Sequence, residues 1–504
     1  MVLLVLNDWI WKADCLKTYK ETTKLFNKYL SNKNTNIYTL SNPLLSIINE
    51  HPRHTKLLNT KIVNNSFIIF LKFYFFTLPA LVLFFLIKKF LTKKIKININ
   101  SKTLIFSHLI DTKYLNKNED YIFGKIFQRK SKNVSFVYLS ALKSHKKINS
   151  QIKKNRFSKN YILMDNDYKY VNINDLFKII FNCLIERKKL INEARRKINI
   201  KEKNLLLLAA NFSFSSSSII NLIRYFTILN IINNIKPKNI ITTFEGHPLE
   251  KLIFYASYKV DPKIRKIAYQ NTFILKNQNS MFMQLKKYYL PNEIWLSGKI
   301  YYSKFKNIFS KKIKIKIFGS SRKFSLSKKK NKIKPNNNIC LVIPEGFYSS
   351  TSDLMKFCIN FSKKYSNIKK FILRIHPELN VNILFKKYPE LADFKKFNIE
   401  ISKNFDPKKD FIKCNLCLYR QTTLVSQAIL FGLKPFYLVD KGNINVDSIF
   451  LLKSWKEYIY SSEDLMLKVK KFNLKKNKFK DLQKAKNLCK KFYTNVDYKL
   501  INTL

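Results

Sequence analysis

The chain has 504 residues, with 95 Lys plus Arg against 32 Asp plus Glu, a formal net charge of +63, and 46% hydrophobic and 14% aromatic residues. That much apolar material excludes disorder and fits two or three globular domains, with the positive charge at the surface facing an anionic partner. The lysines run through every segment and are not gathered into arms interleaved with stacking aromatics, which argues against nucleic acid and for a phosphorylated substrate or an anionic membrane surface.

Residues 1–65 are expected to begin a first Rossmann-like domain, with a strand at 2–6; the opening has no basic stretch and reaches Asp8 too early for a signal peptide. Segment 66–92 stands apart. Its core, 67–87, is apolar except for Lys72, Tyr74, Thr77 and Pro79, and Lys88, Lys89, Lys93, Lys94 and Lys96 follow it. A helix rising ~1.5 Å per residue over that length matches a bilayer interior of about 30 Å. A spanning helix, a Pro79-kinked helix dipping into one leaflet, and a buried soluble helix all stay open.

From residue 93 short β-like runs alternate with helical ones, the pattern of α/β domains with parallel sheets. In the domain expected over 93–309, strands fall at 103–106, 134–137, 205–208, 239–242, 267–269 and 293–296, and helices at 219–232 and 249–259. A polar, basic linker is expected over 310–338. A second domain over 339–504 has strands at 339–343, 371–375, 416–419 and 436–439, a helix at 424–431 closed by Gly432, and a basic helix at 479–492. The seven cysteines are scattered, and Cys414-Asn-Leu-Cys417 reads as strand rather than as a redox or zinc motif, so a reducing compartment is expected.

In open α/β sheets ligands bind beyond the carboxyl ends of the strands, so residues there are the site candidates. Thr243-Phe-Glu-Gly246 ends one strand. Glu245 could take a proton from a hydroxyl nucleophile if burial lifted its pKa towards neutrality; it could equally be a helix N-terminal acid, as Glu250 in the first turn is expected to be. Ile343-Pro-Glu-Gly346 places Glu345 and Gly346 alike. Arg374-Ile-His-Pro377 ends another strand, offering a cation and the His376 imidazole to a phosphate, or merely capping the strand. Arg420-Gln-Thr-Thr423 puts Thr422 and Thr423 at a helix start, a phosphate cradle or an ordinary cap. Ser215 to Ser218 reads as a cap. No GxGxxG, P-loop, GxSxG or HExxH occurs, which removes most support for dinucleotide oxidoreductases, P-loop kinases, serine hydrolases and zincins, and no metal cluster is evident.

Three of these motifs in order, Phe244-Glu-Gly246, Arg374-Ile-His-Pro377 and Arg420-Gln-Thr-Thr-Leu424, resemble those of bacterial sialyltransferases and polysialyltransferases, which carry an acidic-acidic-Gly, a His-Pro and a Ser-Ser or Ser-Thr motif. The wider pattern, Thr243-Phe-Glu-Gly-His-Pro-Leu-Glu-Lys251, Ala268-Tyr-Gln-Asn271 and Leu290-Pro-Asn-Glu-Ile-Trp-Leu-Ser-Gly298, is similar to surface-carbohydrate biosynthesis proteins related to capsule Kdo transferases. The resemblance covers about residues 100–460 and implies two facing Rossmann-like domains, the GT-B architecture.

It implies inverting, metal-independent transfer of a sialic-acid-like or Kdo-like sugar from a CMP-activated donor to a glycan or lipid-linked acceptor, with no cofactor. Glu245 would be the base and His376 would act on the donor phosphate. Arg374, Pro377, Arg420, Thr422, Thr423, Glu345 and Gly346 would line the donor side, and Gly246, His247, Gln270 and Asn271 the acceptor side. Phe244 stands where the family has its first acid, threonines replace serines, and Gln427 stands where many such enzymes hold the donor ribose with a Glu. The expectation is therefore a transferase of surface polysaccharide or lipopolysaccharide on the cytoplasmic face of the inner membrane. The alternatives are a CDP-polyol phosphotransferase of teichoic-acid type and a non-catalytic basic protein binding membrane or nucleic acid.

Overall fold

The computed structural model describes residues 101–109, 119–127, 133–140, 161–164, 170–196, 216–274, 280–282, 287–309, 312–322, 338–377, 379–404, 406–439, 447–475 and 478–504, together with positions 74, 75, 78, 79, 82, 83, 86, 203, 207 and 210. The expected strand at 2–6, the domain start over 1–65 and most of segment 66–92 lie outside them.

The first half contains β1 (Thr103–Leu109), β2 (Val134–Ser140), β3 (Tyr161–Leu163), α1 (Ile173–Arg195), α2 (Ser216–Ile235), β4 (Asn239–Thr243), α3 (Pro248–Val260), β5 (Arg265–Gln270), β6 (Glu293–Leu296), α4 (Tyr302–Phe309) and β7 (Lys314–Ile317). The second contains β8 (Ile339–Ile343), α5 (Tyr348–Lys364), β9 (Lys370–Leu373), α6 (Val381–Lys387), β10 (Ile399–Ile401), α7 (Pro407–Lys413), β11 (Leu416–Tyr419), α8 (Leu424–Leu430), β12 (Lys434–Leu438), β13 (Glu457–Ile459), α9 (Ser462–Leu474), α10 (Lys478–Cys489) and α11 (Tyr498–Asn502).

The strands form two wholly parallel sheets, ordered β3-β2-β1-β4-β5-β6-β7 and β10-β9-β8-β11-β12-β13. This is the two-sheet α/β arrangement that a GT-B architecture requires. Parallel strands are covered on both faces, so they read as continuous apolar runs in which successive residues serve opposite sides. In β1, Leu104 and Phe106 enter the large core under α2 and α3, whereas Ile105 enters a separate cluster with Phe123, Ile241, Tyr269 and Trp295.

That second face is closed by the end of the chain. Ile501 joins its core, with Leu500 and Leu504 packed against it. The crossing is tied down at several points: Thr494 N donates to Ser297 O at 3.0 Å, Asp497 N to Phe318 O at 2.8 Å, and Arg265 Nη1 to Thr503 O at 3.0 Å, while the rings of Phe273 and Phe492 stack 3.9 Å apart. Residues from about 491 onward therefore complete the first sheet although they follow the second.

Two expectations are corrected. The described position inside the supposed strand 205–208, Leu207, is helical, with Lys203 and Ala210 helical on either side: a leucine run alone does not separate strand from buried helix. Part of the expected linker 310–338 is the strand β7, paired with β6; its Lys-Ile-Lys-Ile alternation suits an edge strand whose lysines reach solvent. Among the described residues no helix is long and apolar enough to cross a membrane.

Candidate active site at two switch points

Each sheet has one place where the strand order reverses, between β1 and β4 in the first and between β8 and β11 in the second. Such a reversal splays the loops leaving the two strands to opposite faces and opens a crevice at their carboxyl ends. The two crevices collect most of the residues singled out in the sequence.

At the first crevice, the turn from β4 to α3 carries Glu245, Gly246 and His247. Gly246 sits at φ 87°, left-handed backbone that costs an L side chain about 1 kcal/mol or more. The turn is held from inside α3. The buried Glu250 carboxyl group accepts the backbone N–H groups of Glu245, Gly246 and His247 at 2.6, 2.8 and 3.0 Å, and Lys251 Nζ donates to Gly246 O at 2.9 Å. Glu250 is thus more than a dipole partner: it shapes the loop that presents Glu245. Burial pushes its carboxyl up to about 8, against the pull of His247 and the loop amides.

Glu245 behaves oppositely to the expectation. Burial would raise its pKa, but a hydrogen bond from His247, with Nε2 3.3 Å from Oε2, and the charges of His247, His108 and Arg322 outweigh burial and hold the carboxyl below its ordinary value. It is ionised at neutral pH. Beside it His108, on β1 directly across the switch point, is driven down to about 4 by burial and by His247 and Arg224, so its imidazole is neutral. Gln270 and Asn271, at the end of β5, are both buried, and Gln270 Oε1 and Asn271 Oδ1 have no hydrogen-bond partner.

At the second crevice, Glu345 and Gly346 leave β8, and Gly346 lies so close to the His376 ring that an added Cβ would stand 3.2 Å from Nδ1. His376 and Pro377 follow β9 as expected. Arg374 does not present a free cation. Its Nη1 donates to Asp410 Oδ2 at 2.7 Å and to Asn404 O at 2.8 Å, and Asp410 also accepts from Ser402 and Asn404, so the guanidinium braces the loop after β10. Arg420, nearly buried at the end of β11, lies 3.7 Å from Asp353 on α5 and ties the two sides of the crevice.

The loop after β11 is strained and supported. Gln421 has φ 41°, and Thr422 Oγ1 accepts the N–H of Leu424 at 3.3 Å. Thr423 is the residue before α8, but its side chain makes no cap bond to the helix. From behind, Ser448 Oγ donates to Thr422 O at 2.6 Å. Its neighbour Asp447, fully buried, pairs with Lys456 and accepts from Tyr419 Oη at 2.8 Å and Tyr458 Oη at 3.2 Å. On α8, Gln427 Oε1 is buried without a hydrogen-bond partner.

One bridge joins the crevices. The Tyr493 side chain, on the segment returning from the second domain, lies within polar reach of both Arg322 and Thr423, and Arg322 lies within electrostatic reach of Glu245 and 4.8 Å from the Tyr121 ring. His108, Arg224, Arg322 and Tyr493 were not anticipated. The ordering of β1 against β4 would have found His108, two residues past the strand end expected at 106. Arg322 and Tyr493 meet across more than 150 residues of chain and carry no local signal.

Cys340, Cys358, Cys414, Cys417 and Cys489 are buried, and burial raises the thiols of Cys340, Cys358, Cys417 and Cys489, so the Cys414/Cys417 pair is core, as read. No family model and no curated protein matches the chain. Solved structures resemble it in outline: MurG of Acinetobacter baumannii at 11% identity (TM-score 0.42, 80% of this chain and 100% of that one), a putative UDP-N-acetylglucosamine 2-epimerase from Listeria monocytogenes at 8% (0.45, 80% and 95%), and TcCGT1 in complex with UDP at 12% (0.43, 80% and 98%). Likenesses this loose decide nothing about the chemistry of this chain.

Proposed function

We propose that this chain is a glycosyltransferase of surface polysaccharide or lipopolysaccharide biosynthesis. It moves a sugar from a nucleotide-activated donor, CMP-linked by the motif resemblance, to a glycan or lipid-linked acceptor at the cytoplasmic face of the membrane. The observation that supports the reading is the Tyr493 side chain, which lies within polar reach of Arg322 and Thr423 while Arg322 acts on Glu245, linking the loop after β4 to the loop after β11.

In this reading the acceptor hydroxyl lies against Glu245. Its oxygen forms a bond to the anomeric carbon from the face opposite the leaving group, the bond from that carbon to the donor phosphate oxygen breaks with its electron pair, and the hydroxyl proton passes to Glu245. A carboxylate of lowered pKa is a weak base towards a free alcohol. It suffices here because the hydroxyl becomes strongly acidic as the new bond forms, and a late proton transfer needs only a correctly placed acceptor. His247 keeps that oxygen in place. The phosphate charge would be taken by His376 and by the hydroxyls of Thr422 and Thr423, and the orphaned Gln427 oxygen could accept a ribose hydroxyl. Gln270 and Asn271 would accept from acceptor hydroxyls in the same way.

The test is thermal unfolding with CMP, CDP, UDP and GDP. A ligand that binds only the folded state at 100 times its Kd adds about 2.7 kcal/mol. CMP is expected to raise the melting temperature most; no response to any of the four would remove the nucleotide-donor reading.

A further inference from the structure

α1 is apolar on two faces. Its inner face, with Leu176, Ile179, Cys183, Leu190 and Ala194, is buried in the core of the first domain. Its outer face carries Ile173, Phe177, Phe181 and Leu184, at 44, 65, 64 and 36% exposure. At about 100° per residue these four fall within roughly 80° of arc, a continuous stripe along three turns. The same line continues into Lys188 and Arg195, both exposed, with Lys178 and Lys189 on its flank. A helix that is apolar all round is ordinarily covered all round, and one whose outer stripe passes from aromatic to basic has the build of a helix lying in a lipid interface.

The helix is held rigidly for that task. Asn172 and Asp175 form a reciprocal cap at its start, and Asn230 Nδ2 on α2 donates to Asp175 Oδ2 at 3.0 Å and to Tyr170 O at 2.6 Å. The stripe is thus a surface of the domain and not the side of a loose helix. Exposed apolar side chains also stand in the segment expected to meet the membrane. Tyr74, Phe75 and Leu83 are exposed, while Leu78 and Val82 pack against the core.

We propose that the outer face of α1 docks on an anionic lipid surface, with Phe177 and Phe181 inserted at the headgroup boundary and Lys188 and Arg195 against the phosphates. Charge selects this occupant. A chain of net charge +63 is attracted by a negative leaflet at about 1 kcal/mol per Lys or Arg close to it, whereas a second copy would bring the same charge to the same face. The inference concerns a surface other than the two crevices and stands whether or not the transferase reading holds.

The full chain is tested by co-sedimentation with phosphatidylcholine vesicles with and without phosphatidylglycerol at physiological salt. The unaltered chain should prefer the anionic vesicles by about ten-fold or more. Phe177→Asp with Phe181→Asp should lose about ten-fold of that binding, and Phe177→Leu with Phe181→Leu should keep it. Lys188→Glu with Arg195→Glu should bind neutral vesicles as before and anionic ones more weakly. All three exposed-site variants should retain the melting temperature and its response to nucleotide, which separates this inference from the site above. Unchanged anionic-vesicle binding by the Asp variant overturns the proposal. So does a wild-type dimer in light scattering that the Asp variant dissociates without altering vesicle binding, which would assign the face to a second copy.

Discussion

The crevice at β1/β4 and the crevice at β8/β11 occupy equivalent places in their sheets but are furnished differently. The first is rich in titratable groups that act on one another: an ionised Glu245 with His247 3.3 Å away, a neutral His108, and Arg322 within electrostatic reach of Glu245. The second offers hydroxyls, one imidazole and a strained loop, and its charged groups are mostly paired off behind it, Arg374 with Asp410 and Lys456 with Asp447. A crevice that must move a proton needs groups whose pKa values are pushed apart, and one that must hold a phosphate needs donors at fixed positions. In the proposed reading the first domain accordingly carries the proton chemistry and the second the binding.

The largest expected effect tests the rigidity of the second crevice. Asp447→Ala leaves Lys456 buried without its carboxylate and strips the acceptor from Tyr419 and Tyr458, so denaturant unfolding should show a loss of about 3–5 kcal/mol. A loss under about 1 kcal/mol would mean that this pair does not support the Thr422 loop.

Next comes the pH response of the first crevice. His108 titrates at about 4 in the folded chain against 6.5 in the unfolded one, so the unfolded state takes up the extra proton between those values. Its share of stability is present above about pH 6.5 and is lost as the pH falls towards 4. The depressed carboxyl of Glu245 also loses its contribution towards acid. The His108 share comes to about 3 kcal/mol at most. The raised Glu250 carboxyl acts in the opposite direction over part of this range, so the difference is the readout: towards acid the melting temperature of His108→Asn should fall less than that of the unaltered chain, and identical slopes would remove the neutral imidazole from the account.

Two glycines give smaller effects. Gly246→Ala forces an L residue to φ 87° and should cost about 1–2 kcal/mol and distort the Glu245 turn, visible as lower stability and weaker acceptor use. Gly346→Ala sets a methyl 3.2 Å from the His376 ring, a shift of tenths of an ångström for the imidazole. It should change stability by less than about 1 kcal/mol while weakening nucleotide binding. Nucleotide affinity unchanged there would place His376 away from the ligand.

The two crevices were legible in unequal measure for a physical reason. Chain-local signals, apolar runs ending in Glu-Gly, His-Pro and Thr-Thr, located the loops after β4, β8, β9 and β11. Parallel strands write that signal strongly because both faces are buried. What a side chain does once there depends on distant partners. Arg374 reads as a free cation until Asp410 arrives from α7, and Glu245 reads as a buried acid of raised pKa until the charges of His247, His108 and Arg322 act on it. β7 was hidden because its lysines imitate a linker. The return of the tail, with Tyr493 between Arg322 and Thr423, leaves no mark in any window of sequence.

The division of labour is tested most directly by measuring nucleotide affinity by calorimetry and sugar transfer in parallel for Glu245→Gln and His376→Ala. The account predicts that Glu245→Gln binds nucleotide like the unaltered chain and loses transfer by about 100-fold or more, the scale of a positioned base, whereas His376→Ala loses nucleotide affinity. Near-normal transfer by Glu245→Gln, or unchanged affinity and rate in His376→Ala, would contradict it.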